Sequence, residues 1–182
     1  MNALAVFALA ALAAVLAVQV AAAAEQAKPA PVEVEICGVE AAKRKAKAAA
    51  GDDADIKDKE NIAISNCVKA PCRLRRKTTT HVEFKFTPDT EVKTLKTEVN
   101  AKILGIPFPF IGVDNTNACG GIFLADGTKA SCPLKAGQEY LYRNKFDILE
   151  IYPKVKVLVH WALVNQNGER ILCFNVPAKI TS

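Results

Sequence analysis

Val155-Lys-Val-Leu-Val-His-Trp-Ala-Leu163 decides the fold. Val155, Val157, Val159, Trp161 and Leu163 recur at every second position, which places them on one face of a pleated strand. Lys156, Leu158, His160 and Ala162 take the other face, a period no helix satisfies. The run stops at Asn165-Gln166-Asn167-Gly168, a group of turn formers, and Glu169–Ile180 returns as its hairpin partner. Working outward, Thr78–Thr87 alternates in the same way. Thr80, Val82, Phe84 and Phe86 share one face, and His81, Glu83, Lys85 and Thr87 share the other. Val32–Ile36 alternates too, Asn61–Asn66 is a short strand candidate, and Gln138–Leu149 sets Tyr140, Tyr142 and Phe146 among polar residues. Val92–Leu104 reads as an extended segment with mixed faces. Roughly seven or eight such strands without a strong amphipathic helix predict an all-β, immunoglobulin-like β-sandwich of two antiparallel sheets. Val82, Phe84, Phe86, Val157, Val159 and Trp161 are expected between the sheets, and both histidines are expected on polar faces.

Gly105-Ile-Pro-Phe-Pro-Phe110 is the stretch most suggestive of a site. Two prolines one residue apart exclude helix and hold the backbone extended. They argue against a central strand, because proline cannot donate to a ladder, so the segment belongs where a sheet edge opens. A stiff frame holds Ile106, Phe108 and Phe110 ready for an apolar partner at little ordering cost. Gly112–Gly121 is loop-like, Asp126-Gly127 marks a turn, and Cys132-Pro133 closes that region. Val39–Glu60 carries an Ala/Lys/Arg run, then Gly51-Asp52-Asp53, and reads as a solvated surface excursion.

The chain has 182 residues. Met1–Ala24 is alanine-rich, contains no charged side chain and ends in small residues of the A-x-A kind, so it is expected to be a secretory signal peptide. Residues 25–182 then form a single domain. A net charge of +5 suits a transient anionic membrane surface. No basic stripe interleaved with aromatics points to nucleic acid. The six cysteines, at 37, 67, 72, 119, 132 and 173, are expected to form disulfides, with 15 pairings open. Zinc is set aside because these cysteines are mostly isolated and only His81 and His160 could complete a site. The chain carries no nucleophile elbow, zinc-protease motif or phosphate-cradling loop, so neither an enzyme nor a cofactor is expected. What remains is an excess of apolar and aromatic groups: Phe108, Phe110, Phe146, Ile148, Tyr152, Trp161 and Phe174. These either fill an ordinary core or, if the sheets splay, line a dry cavity; composition does not separate the two.

Gly-Ile-Pro-Phe-Pro-Phe, followed by Asn117-Ala118-Cys119, Cys132-Pro133-Leu134, Tyr140-x-Tyr142, Tyr152-Pro153 and the Trp161 strand, resembles the lipid-recognition (ML) domain family, above all its secreted sterol carriers. The similarity runs from about Val32 to Ile180. It implies a lipid pocket between the sheets and the bridges Cys37–Cys173, Cys67–Cys72 and Cys119–Cys132. Family pocket positions carry over to Phe110, Ile148, Tyr152, Pro153, Trp161 and Phe174. With Phe108 and Val159 these form the candidate lipid-binding set, Phe110 and Tyr152 at the mouth and Trp161 and Phe174 on the inner wall. The implied ligand is a sterol or other apolar lipid, and the implied partners are a membrane and a membrane sterol transporter, met by a monomer. Secretion is expected, with an endosomal or lysosomal lumen as a second location. The chain has no Asn-x-Ser/Thr sequon to support glycan-based sorting. If the long Cys119–Cys132 loop covers the mouth, Phe123 and Leu124 would tune ligand choice. The alternatives are a carrier of fatty acids or other small hydrophobic signals, an innate-immune lipid sensor, and an interaction module with a filled core.

Overall fold

The computed structural model describes residues 29–37, 57–58 and 61–182. The expected signal peptide and nearly all of the Val39–Glu60 excursion lie outside the described residues. Among the described residues, twelve strands form two facing sheets. In chain order they are β1 (Ala30–Pro31), β2 (Val34–Ile36), β3 (Lys57–Asp58), β4 (Ile62–Ile64), β5 (Cys72–Arg75), β6 (Thr78–Phe86), β7 (Leu95–Ile103), β8 (Ile106–Pro109), β9 (Ile122–Leu124), β10 (Tyr140–Ile148), β11 (Lys156–Asn165) and β12 (Arg170–Thr181). The smaller sheet runs β1-β4-β6-β10-β9, and the larger runs β3-β2-β12-β11-β7-β8. All of these pairs are antiparallel, and β5 adds a parallel pairing to the end of β12.

The two alternating stretches are the facing walls. Val82, Phe84 and Phe86 on β6 meet Val157, Val159 and Trp161 on β11 in one continuous core, and Trp161 touches Phe84 edge-on at 6.4 Å. The turn after β11 is held by the Asn165 side chain, whose carbonyl oxygen accepts the amides of Asn167 and Glu169. Gly168 supplies the positive φ that this turn needs.

Three expectations need correction, and one strand was missed. The segment from Val92 to Leu104 does not have mixed faces: on β7, Leu95, Thr97, Val99 and Ala101 all point inward. Thr97 disguised the pattern; its buried hydroxyl donates to the Val113 carbonyl at 2.5 Å and pins the loop after β8. His160 is not on a wet face. It is 8% exposed because the Cys37–Cys173 bridge, Asn175 and Glu98 pack against its ring. The region from Cys119 to Cys132 is no lid: Ile122–Leu124 pairs with the Tyr140 end of β10, and Thr128 returns an amide–carbonyl contact to Leu124. Phe123 packs against the cationic groups of Lys129 and Arg143 there, away from the Ile148 end. Finally, β5 was not anticipated, because its four residues are too few to show a period.

The two prolines sit inside a strand, at its outer edge. The amide of Phe110 donates to Val99 on β7, so by alternation the amides of Phe108 and Ile106 face β7 as well. Positions 107 and 109 therefore face outward, where a missing N–H removes no ladder bond.

Candidate ligand-binding site

The sandwich opens at one end. A cavity of about 480 Å³ lies among Ala101 and Ile103 of β7, Phe108–Ile111, Tyr152, Pro153 and Ile180 of β12. Its volume falls within the ~300–1,000 Å³ range of small-molecule sites, and its wall is almost wholly apolar. The prolines present Phe108 at the lip, and Phe110 is folded in, only 3% exposed. Phe110 is fixed through its backbone. Its amide donates to Val99, and its carbonyl accepts the amides of Val113 and Asp114. The Asp114 carboxylate in turn accepts the Val99 amide at 2.7 Å.

Tyr152 closes the opposite side. Its ring stands perpendicular to Phe110 at 5.5 Å, and its hydroxyl accepts the Ile111 amide at 2.9 Å, bridging the two loops that frame the mouth. Partial burial raises the Tyr152 phenol above its ordinary range, with the Ile111 amide opposing that shift, so the hydroxyl is neutral at physiological pH.

The candidate residues divide into two groups. Phe108, Phe110, Tyr152 and Pro153 surround the open cavity. Val159, Trp161 and Phe174 instead border a separate interior void of about 20 Å³ between the sheets, together with Phe146 and Val82. Ile148 is wholly buried and lines neither space. Phe110 and Phe146, edge-on at 5.2 Å, are the partition, and Phe146 passes contact on to Trp161 at 5.6 Å. Sequence reading missed Ala101, Ile103, Ile111 and Ile180 as cavity walls. The alternation of β7 and β12 carries the signal for Ile103 and Ile180, but nothing local says where along a strand the sheets part.

Around the mouth the surface stays apolar. Among the described residues, six large hydrophobic side chains are exposed, and five of them (Leu104, Ile106, Phe108, Ile111 and Ile151) belong to the segments that frame the opening. A cluster of that kind marks a contact surface.

The three disulfides are those the resemblance implied: Cys37–Cys173, Cys67–Cys72 and Cys119–Cys132. They fit an oxidising compartment. Cys37, Cys173 and His160 approach within 4.8 Å of one another, a spacing that could hold a metal, but both sulfurs are committed to their bridge. His160 Nδ1 instead lies 3.0 Å from the Asn175 amide oxygen, and its Nε2 lies 3.5 Å from Glu98. Arg170 grips the same Glu98 through two contacts of 2.9 Å and holds its carboxyl below the usual range.

An immunoglobulin-like sandwich with an apolar cavity at one end defines the class of protein. The chain belongs to the ML domain family, whose model matches residues 31–180. It is 40% identical over 121 residues to a Drosophila melanogaster NPC intracellular cholesterol transporter 2 homolog, covering 65% of this chain and 77% of that one. It is 30% identical to the Bos taurus NPC intracellular cholesterol transporter 2, covering 66% and 76%. Among solved structures it resembles a Niemann-Pick type C2 protein from Japanese carpenter ant, with TM-score 0.58 and 29% identity over 67% of this chain and 90% of that one.

Proposed function

We propose that this protein is a secreted carrier that takes a sterol into the apolar end cavity, shields it from water and delivers it to a membrane or a membrane sterol transporter. One observation carries the reading: a cavity of about 480 Å³ with a stiff, pre-formed apolar wall, opening directly through a rim of exposed hydrophobic side chains. Relatives named as cholesterol transporters make a sterol the favoured ligand. Burying about 300 Å² of apolar ligand surface supplies roughly 8 kcal/mol of gross driving force. No bond changes are involved; the protein carries its ligand unaltered. Phe108, Phe110, Tyr152 and Pro153 take the exposed end of the ligand, and Val159, Trp161 and Phe174 receive its leading end once Phe110 and Phe146 turn aside. Met1–Ala24 is the leader that directs export, and residues 25–182 are the working domain.

The test is titration of the disulfide-bonded protein with a fluorescent sterol, alongside mass spectrometry of any lipid that co-purifies. Saturation near one sterol per chain is the expected result. Saturable binding of fatty acids without sterols would replace the ligand, and no binding of either would leave an interaction module.

A further inference from the structure

One hydrogen-bond donor between the sheets has no partner. Trp161 is 1% exposed, and its Nε1–H meets no acceptor. Of the buried side-chain atoms without a partner among the described residues, it is the one carried by the core between the sheets. Asn100, His160 and Thr181 lie on the outer face of the larger sheet, and Arg76 sits in the turn after β5. Other polar groups in the core do better: the Tyr142 hydroxyl accepts the Asn144 amide, and the Thr97 hydroxyl donates to Val113. Buried donors are nearly always paired, so an orphan calls for an explanation. Water does not supply one. Trp161 borders the interior void of about 20 Å³, whose walls are apolar side chains. A buried water needs about two to four polar partners, and the indole is one. The carbonyls of β11 are spent on β7 and β12.

The place of the ring supplies the missing acceptor. Phe146 touches Trp161 at 5.6 Å and Phe110 at 5.2 Å, and Phe110 walls the open cavity. A ligand that passes this partition brings its leading end to the indole. We propose that Trp161 Nε1–H is a specificity-determining donor that selects a sterol carrying a hydroxyl oxygen on the end that enters first. The inference rests on the carrier reading and adds the polarity of the leading end to it. A hydrocarbon end leaves the donor as it was, whereas an oxygen completes its bond, so the site discriminates by what the oxygen adds. Two hydroxyls could serve, one on the ring system or one on the side chain, and they differ in which end of the sterol leads.

Trp161 is the only tryptophan of the chain, so the protein has a single indole N–H resonance. The experiment is titration of the disulfide-bonded protein, isotope-labelled at tryptophan, with cholestane, cholesterol and a side-chain-hydroxylated cholesterol. These carry no hydroxyl, the ring hydroxyl, and both. The indole proton is expected to move downfield with an oxygenated sterol and not with cholestane, and that sterol binds about tenfold more tightly than cholestane. A shift with cholesterol identifies the ring hydroxyl as the partner; a shift only with the hydroxylated side chain identifies that end. Replacing the one tryptophan by its benzothienyl isostere, in which sulfur stands for the N–H, keeps the ring shape and abolishes the tenfold preference. The melting temperature of the ligand-free isostere protein is unchanged or higher, because a buried unpaired donor has been removed. A lower one would show that the N–H serves the fold, and overturns the proposal. Saturable binding of all three sterols with a stationary indole proton also overturns it and leaves the carrier standing. If none of the three binds, the carrier reading falls and the proposal with it.

Discussion

The cavity at the mouth and the void in the interior have the same chemistry and opposite packing. Both are walled by aliphatic and aromatic groups, and two of their aromatic rings touch. The void encloses about 20 Å³, no more than a water-sized gap between close-packed sheets, whereas the cavity holds about 480 Å³. The difference lies in the backbone. Around the void, long strands face one another, and side chains can interdigitate. At the mouth the wall is a proline edge strand, a pinned turn and the Tyr152–Pro153 loop, none of which can move inward to fill the gap. Apolar composition thus does not decide between core and pocket. The stiffness of the segment that carries it does.

That contrast can be broken most sharply from the inside. Trp161→Ala is expected to cost about 3–5 kcal/mol of stability, measured by urea unfolding, because its neighbours are held by two sheets and cannot close over the hole. A cost below about 1 kcal/mol would show an interior as loose as the mouth. Phe110→Ala attacks the partition. It is expected to cost about 2–4 kcal/mol, leave the three disulfides formed and weaken fluorescent-sterol binding. A folded variant with unchanged affinity would take Phe110 out of the site. Tyr152→Phe removes only the acceptor of the Ile111 amide. Since Ile111 is exposed and water can replace the hydroxyl, the stability change stays under about 1 kcal/mol, while sterol dissociation, followed by stopped flow, quickens severalfold. An unaltered rate would show that the hydroxyl does not hold the mouth. The smallest effect lies outside both regions. Arg170 depresses the Glu98 pKa in the folded state, so the pair stabilises above the ordinary value of 4.5 and is lost as pH falls through the folded value. Glu98→Gln should cost under about 1 kcal/mol at neutral pH and nothing once wild-type Glu98 is protonated, in melts across that window.

The walls of the sandwich were legible in the sequence because β6 and β11 alternate without interruption. Phe110 and Tyr152 were expected at a mouth from the resemblance, and both line the open cavity together with Pro153. Thr97 hid the inner face of β7, since a hydroxyl satisfied by a loop carbonyl reads in sequence as a solvent-facing one. His160 misled in the same way: its polarity suggested water, whereas neighbouring strands and a disulfide cover it. The split of the candidate set was not legible at all. Trp161 and Phe110 look equally apolar in a list of residues, and only the segments around them, long facing strands for the one and a proline edge strand for the other, separate a core from a wall.

Pro107 and Pro109 have a consequence for the life of the protein in a crowded fluid. A greasy strand at a sheet border, flanked by exposed Leu104 and Ile111, has the makings of a seed for fibrils, because a second copy could continue the sheet through its free amides. Here the outward positions are imino acids and offer no amides. A neighbouring chain that approached this border would find carbonyls without matching donors, and propagation would stop at the first step. The same two rings that keep the mouth open keep it from becoming sticky to its own kind.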